Sequence, residues 1–112
     1  MLRDLPMRTY LLGIDTETTG AKALLVNSEN GTVQASATTE YPMLTPQPLW
    51  VEQNPADWRA ATVTSVCSVL RMEGVEPHRV VGIGLTGQTH GLVLLESGGR
   101  FLRMRTIRKS LW

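Results

Sequence analysis

The sequence has little cysteine, few aromatic residues and no long apolar run, and each shortage excludes a class of protein. One residue of 112, Cys67, is a cysteine, so no internal disulfide can form. Six residues are aromatic, and no uninterrupted apolar run exceeds four residues, whereas a membrane span needs about 20. We therefore expect no membrane partner. The start of the chain lacks an apolar block of secretory length, and we expect a cytoplasmic protein.

Acidic residues are missing from the end of the chain. Residues 1–99 carry six basic and all ten acidic side chains, whereas residues 100–112 carry five basic side chains and no acid. A basic segment of this kind can bind nucleic acid by neutralising phosphates. A solvated terminus is the commoner explanation, so we expect no nucleic-acid partner. The 42% hydrophobic content is that of one ordinary globular domain, too short to form two lobes with a cleft between them.

The first 40 residues show the pattern of three antiparallel strands. Residues 9–16 are rich in apolar and β-branched side chains, and the polar residues 17–20 predict a tight turn into a second strand at 21–27. Residues 28–31 end in an Asn-Gly pair, which favours a hairpin turn. Residues 32–39 then alternate small apolar and polar side chains, as a half-exposed strand does.

A helix and a parallel strand are predicted next. Three prolines make residues 40–53 a loop, after which Asn54 is a favourable N-cap and Gly74 a stop, so the helix spans residues 55–73. Helical spacing predicts a buried face, formed by Val63, Val66, Cys67 and Leu70. Residues 79–86 are expected to lie parallel to the first strand, and residues 92–95 form another short strand. No element is predicted beyond Gly99.

The turn after the first strand carries residues suited to phosphate chemistry. Asp15 ends the strand, Thr18 and Thr19 lie in the turn, and Lys22 follows it. A carboxylate at a strand end can hold hydrated Mg²⁺, while turn N–H groups, hydroxyls and a lysine can meet phosphate oxygens. The residues alone leave a second explanation open, in which Asp15 caps the turn and the threonines are β-formers.

Three motifs together resemble the FGGY carbohydrate kinases. The stretch GIDTETTGAKALLV resembles the family's first phosphate motif, and LWVEQNPADW resembles its Trp-x-Glu-Gln/His-x-Pro loop. The stretch GIGLTGQTHGLVLL resembles the Gly-Gln-Met-His-Gly loop of xylulokinases. The resemblance implies an α/β fold of the ribonuclease H-like, actin-like ATPase class, present here as an incomplete domain with a three-strand meander, one helix and a parallel strand.

The resemblance also implies a reaction and a set of roles. ATP, with Mg²⁺, would donate its γ-phosphoryl group to a hydroxyl of an open-chain sugar, D-xylulose or a related one. By position, Asp15 would hold Mg²⁺ through water, Thr18, Thr19 and Lys22 would approach the nucleotide phosphates, and the sugar would meet Thr89 and His90. Trp50, Glu52 and Gln53 are expected to order their loop. The chain would contain no catalytic residue, because the family's catalytic base lies further along the sequence.

Three positions depart from the family pattern. Glu17 replaces a glycine in the phosphate turn, where a carboxylate brings negative charge toward phosphates, so nucleotide affinity should suffer. Thr89 replaces a methionine beside the sugar, and Arg59 takes a place often held by tryptophan, on the predicted apolar side of the helix. These changes leave a second hypothesis open, a remnant or binding domain of the same fold without catalysis.

We expect an N-terminal extension at 1–8, a partial kinase domain at 9–99 and a divergent basic tail at 100–112. The text after Leu102 no longer follows the family pattern, which suggests a truncated product that is inactive alone. A ribonuclease H-like nuclease needs several convergent carboxylates for two metals, and residues 79–86 supply none, so we set it aside. An incomplete sheet with an open edge and an exposed apolar face also invites self-association.

Overall fold

The elements of the chain follow the predicted order closely. The computed structural model describes residues 8–48, 51–87, 91–95, 97–98 and 101–106. In chain order the elements are β1 (Tyr10–Thr16), β2 (Gly20–Asn27), β3 (Val33–Glu40), β4 (Val51–Glu52), α1 (Pro55–Glu73), a 3₁₀ turn (Pro77–Arg79), β5 (Val80–Thr86), β6 (Gly91–Leu95) and β7 (Phe101–Thr106).

A mixed four-stranded sheet is the centre of the fold, with strand order β3-β2-β1-β5. Strands β1, β2 and β3 form the predicted antiparallel meander, and β5 lies parallel to β1. The turn between β2 and β3 is closed at Gly31, whose φ of 73° is the left-handed conformation that glycine adopts without strain. Both the meander and the parallel strand are therefore confirmed.

Helix α1 has the predicted ends. The side chain of Asn54 accepts a hydrogen bond from the backbone N–H of Ala56 at 3.0 Å, Pro55 occupies the first turn, and Gly74 ends the helix in the left-handed conformation. Each of these residues satisfies or removes a backbone group that a helix end leaves unpaired. Local sequence chemistry alone thus fixes both ends of α1.

The predicted buried face of α1 is wrong in part. Val63 is 49% exposed, Cys67 is exposed, and Val66 and Leu70 pack only at the margin of the core. The side chains that face the sheet are those of Ala61, Ser65 and Val69.

Small side chains explain this rotation of α1. The Ser65 hydroxyl donates to the Ala21 carbonyl oxygen at 2.9 Å and lies 2.7 Å from the Thr39 hydroxyl. Contacts this short require the helix backbone to come close to β2 and β3, which a row of larger side chains would prevent. Arg59, expected on the apolar side, is exposed for the same reason.

The core lies between α1 and the meander and reaches β5 only at Val80, which packs against its margin. It is formed by Tyr10, Leu12, Ala23, Leu25 and Val69. On the edge strand β5, by contrast, Val81, Ile83 and Leu85 are 61%, 62% and 73% exposed. An apolar row of this kind on an edge strand is typical of a sheet that continues in the complete fold.

A second sheet of three strands has the order β4-β7-β6. Strand β6 confirms the short strand predicted near residues 92–95, whereas β4 lies inside the predicted loop 40–53 and β7 follows Gly99, where no element was predicted. The alternation of Leu102 and Met104 with Arg103 and Arg105 is a period-two signal, which the run of positive charge obscured. In the described part of the chain, no helix is long and apolar enough to cross a membrane.

Candidate functional site

Three strand ends meet at the turn that follows β1. Asp15, the next-to-last residue of β1, is paired with Lys22 of the antiparallel neighbour β2 and with Thr86 at the end of the parallel neighbour β5. The carboxyl ends of parallel strands meet at one edge of a sheet, where ligands are commonly bound. The fold thus brings together two of the predicted residues, Asp15 and Lys22, that are separated by the whole turn in sequence.

Asp15 is partly buried as a residue, and its carboxylate is held by its neighbours on the exposed side. The Thr86 hydroxyl donates to its Oδ1 at 2.5 Å. This hydrogen bond, a second one shared with Glu17 and the attraction of Lys22 together lower the pKa of Asp15 below its ordinary value of 3.8, although partial desolvation opposes them. Asp15 is therefore an anion at neutral pH, as a ligand of a divalent cation must be.

The Glu17 carboxyl group is hydrogen-bonded to the Asp15 carboxyl group. The hydrogen bond to Asp15, followed by repulsion from its charge and by partial desolvation, raises the pKa of Glu17 above its ordinary value of 4.5, against the attraction of Lys22. Two carboxyl groups that share a proton ionise in sequence, the second with more difficulty. The negative charge that Glu17 brings to the turn is therefore coupled to that of Asp15.

An open groove of about 480 Å³ lies beside this pair. Its lining combines polar residues, glycines and apolar residues: Asp15, Glu17, Lys22, Thr86, Gly13, Gly84, Ile14, Leu24 and Leu85. A Cβ atom at Gly84 would meet no atom within 4 Å, so the backbone of β5 is open to a ligand at this point. The groove therefore combines two hydrogen-bonded carboxyl groups, those of Asp15 and Glu17, with one ammonium group and accessible backbone.

The backbone of the turn is anchored from below through its carbonyl oxygens. The Tyr41 hydroxyl donates to the Glu17 and Gly20 carbonyl oxygens, and the Tyr41 N–H donates to the Thr19 carbonyl oxygen at 3.1 Å. The Gln53 side-chain amide donates to the Thr18 carbonyl oxygen at 2.5 Å. Residues 17–20 therefore have every carbonyl oxygen bound to a group of the protein.

The two threonines of the turn are exposed, as the prediction of phosphate contact requires. Within residues 8–48 and 51–87, neither the Thr18 nor the Thr19 backbone N–H has a hydrogen-bond acceptor. Adjacent N–H groups in a turn can form an anion-binding concavity. The arrangement can thus offer donors to an anion that Lys22 helps to neutralise.

Some predicted residues lie outside the part of the chain that the structure describes: Thr89, His90 and Trp50. Gln53, expected to order its loop, joins the turn to α1, because its amide donates to the Thr18 carbonyl oxygen and its side-chain oxygen accepts from the Trp58 indole N–H at 3.1 Å. No group of three or more His, Cys, Asp or Glu residues suited to hold a metal occurs in the described residues. A cation at Asp15 would therefore take most of its ligands from water and phosphate.

Two residues of the site were not assigned a role by the sequence. Thr86 ends a parallel strand beside Asp15, and that position could have suggested it. Tyr41 gives no local signal, because its hydroxyl reaches the turn only through the pairing of β2 with β3, which brings Gly20 beside Glu40.

Comparison with known proteins identifies the family. The profile of the FGGY family of carbohydrate kinases, N-terminal domain, matches residues 10–109. The chain belongs to the FGGY family of carbohydrate kinases. It is 37% identical over 94 residues to a xylulose kinase from Bacillus subtilis, a match that covers 84% of this chain and 19% of that protein. A glycerol kinase from Thermus thermophilus is 37% identical over 90 residues, which are 80% of this chain and 18% of the relative.

The fold of this FGGY chain agrees with a solved relative. A xyloylose kinase from Brucella ovis superposes with a TM-score of 0.80 at 37% identity, covering 87% of this chain and 20% of that one. The chain thus spans about a fifth of the length of the relatives it matches. The predicted FGGY resemblance and the incomplete actin-like fold are confirmed.

Proposed function

We propose that this chain forms the phosphate-binding N-terminal part of an ATP-dependent sugar kinase whose acceptor is D-xylulose or a related open-chain sugar. The meeting of Asp15, Thr86 and Lys22 beside the turn is the observation that carries the proposal. It places the Asp15 carboxylate and the Lys22 ammonium group on one groove, near the Thr18 and Thr19 N–H groups, for which the described residues show no acceptor. Phosphoryl transfer depends mostly on such positioning and electrostatics.

Mg²⁺ fits this groove. Magnesium retains several water ligands and is bound through one or two carboxylates together with substrate phosphates, so the single Asp15 carboxylate is sufficient. When bound, Mg²⁺ would neutralise charge on the phosphate oxygens. Asp15 would hold the hydrated ion, Lys22 would compensate the remaining phosphate charge, and the Thr18 and Thr19 groups would donate hydrogen bonds to phosphate oxygens.

The acceptor sugar would be bound by Thr89 and His90. Support comes from their place in a segment that resembles the Gly-Gln-Met-His-Gly loop of xylulokinases, directly after the β5 strand end. An imidazole can both donate and accept a hydrogen bond, which suits a sugar hydroxyl. Relatives named xylulose kinase and relatives named glycerol kinase both match this chain, so the acceptor is a polyol or sugar hydroxyl in either case.

Turnover would require the remaining four fifths of the fold. The resemblance implies that the base that removes a proton from the sugar hydroxyl lies further along the family's sequence, whereas the groove of this chain would supply groups for phosphate and metal. The exposed apolar row of β5 supports the same interpretation, since it would be covered by further strands or helices. We expect binding without catalysis when the chain is alone.

A non-catalytic remnant of the same fold is the second candidate, favoured by the position of Glu17. Its carboxyl group lies on the phosphate groove and shares a hydrogen bond with Asp15. Any cation that binds Asp15 must displace or share that contact. Nucleotide affinity would then be low, and the fold would persist without chemistry.

A chimeric enzyme separates the two candidates. Residues 10–106 of this chain replace the matching segment of the Bacillus subtilis xylulose kinase, and ATP-dependent phosphorylation of D-xylulose and of glycerol is measured. Activity on D-xylulose that is lost in Asp15→Asn supports the kinase part. A folded chimera that is inactive, but becomes active after Glu17→Gly, identifies a remnant; one that stays inactive after Glu17→Gly contradicts the kinase proposal.

A further inference from the structure

The carbonyl anchors of the turn come from two buried residues on different elements. Gln53 is 2% exposed and directly precedes the N-cap of α1, and Tyr41 is 7% exposed and directly follows β3. Gln53 is itself fixed by the Trp58 indole, and the Tyr41 ring packs among Ala21 and Ala61. The turn is thus tied by hydrogen bonds to two buried side chains, one beside α1 and one beside β3.

Because the peptide group is planar, the hydrogen bonds to the carbonyl oxygens also determine where the N–H groups of the turn point. In a planar trans peptide, the carbonyl of one residue and the N–H of the next point in opposite directions. The Glu17 carbonyl is held by Tyr41, so the Thr18 N–H must point away from Tyr41. The Thr18 carbonyl is held by Gln53, so the Thr19 N–H must point away from Gln53.

Because Tyr41 and Gln53 are buried, the N–H groups that point away from them point toward the exposed side of the turn. Both anchors are buried on the side of the turn that faces α1, whereas both threonines are exposed. The direction toward the exposed side agrees with the lack of an acceptor for these N–H groups in the described ranges around the turn. Donors fixed in advance bind an anion more strongly than donors that must first be ordered.

We propose that Tyr41 and Gln53 are positioning residues, which hold residues 17–20 so that the Thr18 and Thr19 N–H groups are presented to the phosphate of a magnesium polyphosphate. Neither side chain touches the ligand. The proposal rests on the function proposed above. It gives Gln53 of the Trp-x-Glu-Gln segment, and Tyr41 directly after β3, a positioning role in that same site.

Two near-isosteric variants and one matched control test the proposal. Tyr41→Phe keeps the packed ring and removes the hydroxyl, and Gln53→Met keeps the side-chain length and removes the amide. Ser65→Ala removes a buried hydroxyl that also donates to a β2 carbonyl, but at Ala21, outside the turn. Urea denaturation first establishes that the three variants are folded and how much stability each has lost.

Inorganic tripolyphosphate with Mg²⁺ is the probe, and the readouts are its dissociation constant and the ¹⁵N heteronuclear NOE of residues 18 and 19 in the full chain. We expect Tyr41→Phe and Gln53→Met each to weaken binding about fivefold, the value of one net hydrogen bond. The NOE of both threonines falls in these two variants. Ser65→Ala leaves the affinity within twofold and the NOE unchanged.

The outcomes separate this inference from the proposed function. Equal weakening in Ser65→Ala, or unchanged affinity in both turn variants, overturns the positioning role. If the unaltered chain binds no tripolyphosphate, the proposed phosphate site is refuted. The NOE then decides whether Tyr41 and Gln53 anchor the turn. If the NOE of residues 18 and 19 falls in Tyr41→Phe and Gln53→Met, both residues still anchor the turn. If the NOE does not fall, the anchoring role is overturned too.

Discussion

Gly20 begins β2 at the point where the turn comes closest to β3, and replacing it with alanine should displace the turn. A Cβ at this position would lie 2.8 Å from the Thr39 carbonyl oxygen and 3.2 Å from the Glu40 Cα. Both neighbours are backbone atoms of a paired strand and cannot move aside as a flexible side chain could. The φ of Gly20 is not positive, so this position does not need glycine for a left-handed conformation. Glycine is required here because the backbones of β2 and β3 approach each other closely.

The expected cost of Gly20→Ala follows from that overlap. Forcing one extra methyl group into a packed site typically lowers the free energy of unfolding by about 1–3 kcal/mol. For a chain of this size, 2 kcal/mol corresponds to a fall in Tm of roughly 10 °C. The turn must also shift, so magnesium polyphosphate binding should weaken in the same variant.

Gly84→Ala is the matched control for this prediction. It makes the same chemical change in a strand of the same sheet, at a position where the added Cβ meets nothing within 4 Å. Its free energy of unfolding should stay within about 0.5 kcal/mol of that of the unaltered chain. Thermal unfolding followed by circular dichroism measures both variants, and equal Tm values for the two would refute the argument from close approach.

Removing the cap with Asn54→Ala should lower the free energy of unfolding by about 1 kcal/mol in urea denaturation. Ser65→Ala should lower it by about 1–3 kcal/mol, because a buried β2 carbonyl loses its donor. In a carboxyl ¹³C NMR titration, Asp15 should titrate below 3.8 and Glu17 above 4.5. Thr86→Val should raise the Asp15 pKa, since its largest stabilising contact is removed.

The signs of these shifts also predict the pH dependence of stability. Asp15 has a lowered pKa, so its contribution to folding is present above its ordinary value and is lost as the pH falls through the lowered pKa. Glu17 has a raised pKa, so its contribution is present below its ordinary value and is lost as the pH rises through the raised pKa. Asp15→Asn should reduce the second effect, because the hydrogen bond with the Asp15 carboxylate and the repulsion from its charge, the two largest causes of the raised Glu17 pKa, are removed.

Controls for the stability variants lie on the same helix. Thr64→Ala removes an exposed hydroxyl next to Ser65 and should change the free energy of unfolding by less than about 0.5 kcal/mol. A loss in Ser65→Ala no larger than that of Thr64→Ala would contradict the role of the buried hydroxyl. Native-state titration of Asp15 and Glu17 at their ordinary values would contradict the shared proton.

Local chemistry made most of the fold predictable. The ends of α1 follow from Asn54, Pro55 and Gly74, and the meander follows from period-two alternation and the turn at Gly31. The buried face of α1 could not be found in the same way, because hydrophobicity favours Val63 and Cys67. Close packing instead selects the small side chains, and Ser65 is buried through its hydrogen bonds.

The sequence predicted the part of the candidate site whose residues are close together in the chain. It did not predict the part that strand pairing brings together. Asp15 and Lys22 flank one turn, so their proximity could be expected. Thr86 reaches Asp15 only because β5 lies parallel to β1, and Tyr41 reaches the turn only because β3 lies beside β2. The division of the chain at residues 9–99 and 100–112, and the roles of the loop at 89–90, stay predictions.

Titration of the ¹⁵N-labelled chain with Mg²⁺-ATP tests the central claim most directly, that the turn after β1 receives a metal-bound polyphosphate. The account predicts amide shifts concentrated at residues 15–22 and 84–86, with those of Thr18 and Thr19 largest, and their loss in Asp15→Asn. Shifts that are absent, that are spread over α1, or that persist unchanged in Asp15→Asn would contradict it.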